Sequence, residues 1–230
     1  MRARLTAFLG ATAIAGALSL PAHAAFDPLA LYGERIVFDV YRGGDRIGSH
    51  TVSFSQAEDG VKVDVDFKVA VKMLGLTVYR FEYGSSALWR DDRLAMLDAA
   101  VNDDGTRHRV TAQVENGQTR LQGPKGPESA DGAVFPSNHW HPAVVGETRV
   151  INTLTGSFAD VAIRRAGTEP VATNAGEVQA ARYTYSGDLR DVDVWYDDRG
   201  RWVRMTFVDK SGETIEYRCA SCVAAEGVQQ

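Results

Sequence analysis

The 230 residues contain no G-x-S-x-G nucleophile elbow, no phosphate-cradling glycine loop and no dinucleotide-binding glycine motif. Serine hydrolysis of that kind and nucleotide chemistry therefore have no signature here. Cysteine is scarce, with two residues in the whole chain. A span of about twenty strongly apolar residues, as a membrane helix needs, is also missing. The uncharged run Leu5–Leu20 is too short and is diluted by Thr6, Gly10, Thr12, Gly16 and Ser19. Cations are in deficit, 25 Lys and Arg against 30 Asp and Glu. That balance argues against recognition of nucleic acid or of anionic lipid by overall charge, so any membrane contact is expected to be apolar.

What the N-terminus does have is the pattern of a cleavable export signal. Arg2 and Arg4 precede the uncharged run, and Pro21 then leads into Ala22-His23-Ala24, the small-x-small pattern cut by signal peptidase. Cleavage after Ala24 is expected, which makes residues 1–24 a leader and 25–230 the mature chain. No cysteine stands at the cut site to carry lipid, and Arg2 and Arg4 are not adjacent, so ordinary unfolded export to the periplasm, or secretion, is expected. The leader carries two arginines and no acid, so its removal takes the formal charge from −5 to −7. The remaining length suits a single domain with no transmembrane segment.

Turn signals recur at short intervals along that domain, among them Gly43-Gly44-Asp45, Asp103-Asp104-Gly105, Asn116-Gly117 and Asp197-Asp198-Arg199-Gly200. Between them the residues alternate with period two, as in hairpin-linked strands. The clearest run is Val61 to Met73, where Val61, Val63, Val65, Phe67, Val69, Val71 and Met73 share one face. At roughly 3.4 Å per residue this strand approaches 40 Å, which calls for a strongly curved sheet or barrel wall. Weaker alternation predicts strands near 35–41, 47–56, 77–89, 94–101, 106–114, 149–154, 161–165, 177–185, 191–196, 201–209 and 213–218. Gly123 to Asn138 holds Pro124, Pro127 and Pro136 and predicts a long surface loop. His139 to Val145 predicts one helical turn capped by Ser137 or Asn138. The fold class is therefore all-β: an antiparallel meander curled into a half-barrel or barrel, with one short helical segment and a long Pro/Gly loop. An outer-membrane barrel is disfavoured because several strands fall short of the roughly ten residues a span needs.

The run Phe38-Asp39-Val40-Tyr41-Arg42-Gly43-Gly44-Asp45-Arg46-Ile47-Gly48-Ser49-His50 resembles the first hairpin of an uncharacterised family of exported bacterial β proteins, known only as a domain of unknown function. Gly187-Asp188, followed by Val194-Trp195-Tyr196-Asp197-Asp198-Arg199-Gly200-Arg201-Trp202-Val203-Arg204-Met205, is similar to its closing hairpin. The resemblance spans most of the mature chain and rests on hairpin-forming residues. It implies a fold similar to the half-barrel lipoprotein carriers of the bacterial envelope, which hold acyl chains in an apolar cavity. It implies no catalytic residues.

Three groups of side chains carry chemistry worth weighing. Cys219-Ala220-Ser221-Cys222 lacks the helix-opening setting of a redox C-x-x-C, and Val223 stands where haem attachment needs His, so a structural disulfide between Cys219 and Cys222 is expected. In an extended strand these residues would be about 10 Å apart, so the last strand is expected to end before them. His139 and His141 could bind zinc or copper, but Pro142 follows, and His50 and His108 lie on other candidate strands, so a third ligand is lacking. The plainer expectation is that Trp140 plugs an apolar opening while its neighbours meet solvent. The pairs Asp91-Asp92, Asp103-Asp104 and Asp197-Asp198 read as turn residues rather than as a calcium or paired-carboxylate site.

The leading expectation is a non-enzymatic periplasmic protein that encloses an apolar ligand, a lipid or isoprenoid, and needs no metal or other cofactor. Met73, Leu74 and Leu76 either cap the core or form an apolar rim, and in the second case the loop bearing Phe135 and Trp140 folds over it as a lid. The alternatives are a metal-dependent or hydrolytic enzyme using His139 and His141, and an envelope interaction protein whose core is filled by its own side chains. Ligand identity, oligomeric state and protein partners are not legible.

Overall fold

The structure, a computed structural model, describes residues 26–223; the expected leader and its cut site lie outside the described residues. The described chain opens with a one-turn helix, α1 (Pro28–Tyr32), that alternation does not announce. Asp27 caps it by accepting from Leu29 N and Ala30 N, Pro28 supplies a preset first position, and Gly33 ends it at φ 77°.

Eight strands follow as a meander, each antiparallel to the last: β1 (Arg35–Arg42), β2 (Asp45–Ala57), β3 (Gly60–Met73), β4 (Leu76–Arg90), β5 (Arg93–Asp103), β6 (Thr106–Glu115), β7 (Gln118–Gly123) and β8 (Gly126–Asp131). After a short segment the chain resumes with β9 (Phe135–Pro136), β10 (Arg149–Asn152), β11 (Ser157–Thr173), β12 (Gly176–Gly187), β13 (Val192–Asp197), β14 (Trp202–Val208) and β15 (Thr214–Ser221). The last strand returns to β1, with Val40 opposite Tyr217, so the two meanders merge into one fifteen-stranded sheet running from β8 to β9. Among the described residues only β9 and β10 pair in parallel. The tight turns use the left-handed backbone their residues tolerate: Asp104-Gly105 and Asn116-Gly117 all have positive φ, the geometry that matches strand twist.

The sheet curls until its ends meet, without a hydrogen-bonded ladder to close it. At the seam the backbones of Gly123 and Gly156 touch: a Cβ on Gly123 would lie 2.3 Å from Gly156 O. Phe158 N donates to Glu128 Oε2 at 3.3 Å across the same junction. Register irregularities, such as that between Leu88 and Trp89 against β5, supply the local bending that curling requires. Inward residues of the long strands, including Val63, Val65, Phe67 and Val69 on β3, form the core.

Two expectations are corrected here. The stretch from Gly123 is a hairpin rather than a loop: Pro124-Lys125 make the turn and β8 pairs with β7 along its length. Pro127 is admitted because β8 is the outermost strand, where a missing N–H is harmless. The helical turn is a 3-10 segment at Pro142–Gly146, and its cap is His141, whose Nδ1 accepts from Ala143 N at 3.2 Å.

The disulfide joins Cys219 to Cys222 with Cα atoms 5.5 Å apart. The strand does not stop before it, however. Val37 pairs with Ser221 and Phe38 with Cys219, so Ala220 is an extra residue, and this irregularity shortens the extended distance. Asn174, in the β11–β12 turn, holds the loop: its Oδ1 accepts from Cys222 N and Val223 N at 3.0 and 3.1 Å, and its Nδ2 donates to Val223 O.

Candidate functional site

The interior runs from a floor of buried aromatic rings to an end where the inward rings are only half-buried. The floor lies where β3 begins and β4 ends. Trp140 is 1 % exposed there and packs against Trp89, Phe54 and His141 with ring centroids 4.9–5.3 Å away. Polar bonds fix it in place: Tyr32 Oη donates to Trp140 O at 2.8 Å and accepts from Trp202 N at 2.9 Å, while Tyr196 Oη donates to His139 O at 2.8 Å. Beside them the Asp197–Arg201 ion pair, 2.6 Å long, is almost wholly buried. Asp197 is thus more than a turn residue, although its Oδ1 also accepts from Arg199 N and Arg201 N as a turn carboxylate does.

Phe135 and Trp140 belong to this floor, with Phe135 2 % exposed against Trp89. Met73 and Leu76 pair at the far tip of the hairpin whose base is the Val61–Trp89 pair. Twelve residues of β3 separate the two places, about 40 Å of strand. The expected lid over an apolar rim is therefore not formed. Nor do the tip residues cap the core, because Met73, Leu74 and Leu76 are 64, 99 and 72 % exposed. They flank the open end of the barrel from outside.

Between floor and tip the wall is aromatic. Phe81, Phe67, Tyr217 and Phe207 form a continuous run with centroids 5.6–6.2 Å apart. Phe81 and Phe207, nearest the open end, are only half-buried although they share the inward face with the buried Tyr83 and Met205. A belt of polar rings crosses the middle around Trp202. His50 and His139 lie 5.4 and 5.7 Å from its ring, Tyr217 is 5.3 Å from His50, and Tyr185 Oη meets His139 Nδ1 at 3.3 Å. The His50 and His139 rings and the hydroxyl of Tyr217 make no other hydrogen bond among the described residues. His50 Nδ1 is sealed off, whereas the two Nε2 atoms and the Tyr217 hydroxyl keep contact with open space.

Burial sets the charge state of this belt. It pushes His50 down to about 3, helped by the neighbouring His139, and His139 down to about 4. The Tyr185 and Tyr217 hydroxyls are pushed up, again by burial. At neutral pH every group in the belt is uncharged. His141, on the floor side, is also lowered to about 4 by burial, with Asp92 opposing and Arg93 adding to the effect.

These positions revise the histidine expectations. His141 is buried and His139 half-buried, and they do not converge: His139 faces Tyr185 and Trp202, whereas His141 packs on Trp89 and Phe26. His50, which strand spacing set apart, comes close to His139 instead. Among the described residues no three His, Cys, Asp or Glu side chains gather as a metal-ligand set. The belt itself had a sequence signal that was missed, since His50 shares the face of Val52 and Phe54 on β2 and so points inward. Two hollows lie elsewhere. One of about 810 Å³ opens over β5–β8 between Asp98, Gln113, Arg120 and Glu128, and one of about 160 Å³ lies beside Phe26, Trp89 and His141.

With this geometry in view, the profile of the domain of unknown function DUF6134 matches residues 38–220. The chain belongs to that family. The matched span runs from Phe38, in the aromatic core, to Ala220, inside the disulfide loop. No curated protein matches the sequence. Among solved structures the chain is similar to a β-barrel-like protein of the DUF1849 family from Brucella abortus. The TM-score is 0.57 at 14 % identity, covering 81 % of this chain and 95 % of that one. At that identity the likeness concerns the fold alone. No helix among the described residues is long and apolar enough to cross a membrane.

Proposed function

We propose that this DUF6134 protein is a non-enzymatic binding protein of the periplasm that holds an apolar ligand, a lipid or isoprenoid, in the open half of its barrel. One observation carries the reading: inward aromatic residues are fully buried at the floor and only half-buried at the open end, Phe81 and Phe207 in particular. A barrel filled only by its own side chains has no reason for that asymmetry, whereas an apolar chain entering between Phe81 and Phe207 would cover both. Export is supported by the leader pattern and by the Cys219–Cys222 disulfide, since such bonds persist in oxidising compartments.

The test is a titration of delipidated protein with a fluorescent fatty-chain probe. Saturable binding by the wild type is expected, with loss in Phe81→Arg and Phe207→Arg but not in Val208→Arg, which changes an exposed residue beside Phe207. Circular dichroism establishes that the variants are folded. Absence of saturable binding by the wild type removes the reading and leaves the filled-core interaction protein.

A further inference from the structure

The β3–β4 hairpin outruns its neighbours. β2 leaves β3 at the Gly48–Val69 pair, and β5 leaves β4 at Phe81–Asp103, with one more backbone bond from Asp104 N to Arg80 O. From Ala70 to Tyr79 the two strands pair only with each other. Counted from Phe81 to Leu76, the free ribbon is about 15 Å long.

Its end is apolar and fully in water. Besides Met73, Leu74 and Leu76, Val78 is 51 % exposed, so four large apolar side chains crowd into six residues. Scattered exposed hydrophobics are ordinary, but a concentrated group marks an interaction site. The turn makes the case sharper. Leu74 and Gly75 have φ 50° and 81°, the same left-handed pair that Asn116-Gly117 and Asp104-Gly105 adopt in this chain. Asparagine, aspartate or glycine takes that first position without strain, whereas leucine does not. Leu74 is thus strained and 99 % exposed, a placement that contributes nothing to folding.

The charge around the tip opposes that of the whole chain. No acid occurs between Asp66 and Glu82, while Lys68, Lys72 and Arg80 do. Lys68 is shared with Asp66 at 2.7 Å; Lys72 and Arg80 are exposed and make no ion pair among the described residues. The nearby acids sit behind the tip and are engaged: Asp103 accepts from Tyr79 Oη at 2.6 Å and lies 3.6 Å from Lys210, Asp104 accepts from Arg80 N, and Asp209 pairs with Arg42. A net charge of −5 conceals this basic, apolar-tipped finger.

We propose that the hairpin tip docks on a lipid bilayer containing anionic phospholipid, inserting Met73, Leu74 and Leu76 while Lys72 and Arg80 lie among the phosphates. Interfacial elements bury their apolar side about 5–10 Å deep, which the ribbon can reach without bringing the acidic turns to the surface. Apart from Thr77 the tip has no polar side chain that would specify a protein groove, and its flanking cations match a negative surface.

Co-sedimentation of the mature protein with phosphatidylcholine vesicles, with and without phosphatidylglycerol, tests the proposal. Binding to the anionic vesicles is expected. Leu74→Asn, a substitution the turn accepts, should weaken it about tenfold with the fold intact, and Lys72→Glu with Arg80→Glu should abolish the preference for anionic vesicles. Failure of the wild type to bind either vesicle, or unchanged binding by Leu74→Asn, overturns the proposal. Neither result bears on the interior ligand, because the tip lies outside the barrel wall.

Discussion

Acidification to pH 5 should destabilise this protein well before its carboxylates titrate, because three imidazoles are buried in neutral form. His139 and His141 are lowered to about 4 and His50 to about 3, against 6.5 for a free imidazole. Unfolding exposes them, so below pH 6.5 the unfolded chain takes up protons that the folded chain refuses, and stability rises with pH across that range. The stability is fully present above pH 6.5 and is lost as the pH falls toward 4, where the folded imidazoles begin to protonate. At pH 5 linkage gives roughly 2 kcal/mol per histidine, hence about 6 kcal/mol for the three as a ceiling. That is comparable to the whole stability of an ordinary domain. With a urea dependence of about 3 kcal/mol per molar for a chain of this size, the urea midpoint should fall by up to about 2 M between pH 7.5 and pH 5. Intrinsic tryptophan fluorescence reads it directly, since Trp89, Trp140 and Trp202 surround the three rings. His50→Phe with His139→Phe should remove about two thirds of the fall. Asp209, held low by Ser211, Arg42 and the Glu213 and Ser211 backbone against a desolvation cost, acts only below pH 4 and stays outside the window. A midpoint that is flat from pH 7.5 to 5, or a double variant with the wild-type slope, refutes the assignment of these histidines as buried and neutral.

Three other outcomes are expected. Arg201→Ala leaves the Asp197 carboxylate buried without its partner and should cost about 3–5 kcal/mol in urea unfolding, whereas the exposed pair Arg149–Asp160 should be worth under about 1 kcal/mol when Arg149 is replaced by Ala. Cys219 and Cys222 should resist alkylation until reduced, and reduction should lower stability by no more than about 2 kcal/mol, because the closed loop is so short. If a ligand occupies the barrel, a long-chain alcohol should bind more tightly than the carboxylate of equal length, since the belt of His50, His139, Tyr185 and Tyr217 offers hydrogen bonds but no positive charge; equal affinity would count against the belt as the head-group site.

Alternation made most of the strands legible, and it worked best where one face is buried and the other wet. Val61 to Met73 is the plainest case and emerges as β3, one residue longer at its start. Alternation failed on β8, whose glycine and single proline suit an edge strand but look like a loop when the position in the sheet is unknown. It also gave only five residues of the 17-residue β11, and the bulge between Arg165 and Gly167, which shifts the period, accounts for the loss of the half that follows it. The site was less accessible for a different reason. Which strand ends share an end of the barrel depends on how the sheet curls, and the return of β15 to β1 has no local signature. Apolar chemistry alone groups Phe135 and Trp140 with the Met73–Leu76 tip and cannot reveal that some 40 Å of β3 separates them.

That separation also explains how the fold tolerates an awkward surface. The floor concentrates the stabilising interactions: Trp89 and Trp140, the Tyr32 and Tyr196 hydroxyl bonds and the buried Asp197–Arg201 pair lie together at one end. The other end carries what does not stabilise a fold, namely half-buried aromatics and a strained, exposed leucine. Because β3 and β4 run continuously between the two, the tip can be changed without touching the packing that holds the barrel. Substitutions at Leu74 and at Trp140 should therefore act independently on stability, as expected for sites well beyond 10 Å apart. A double variant, Leu74→Asn with Trp140→Phe, should shift the urea midpoint by the sum of the single shifts. A coupling above about 0.5 kcal/mol would mean that floor and finger move as one unit and would undo this division of labour.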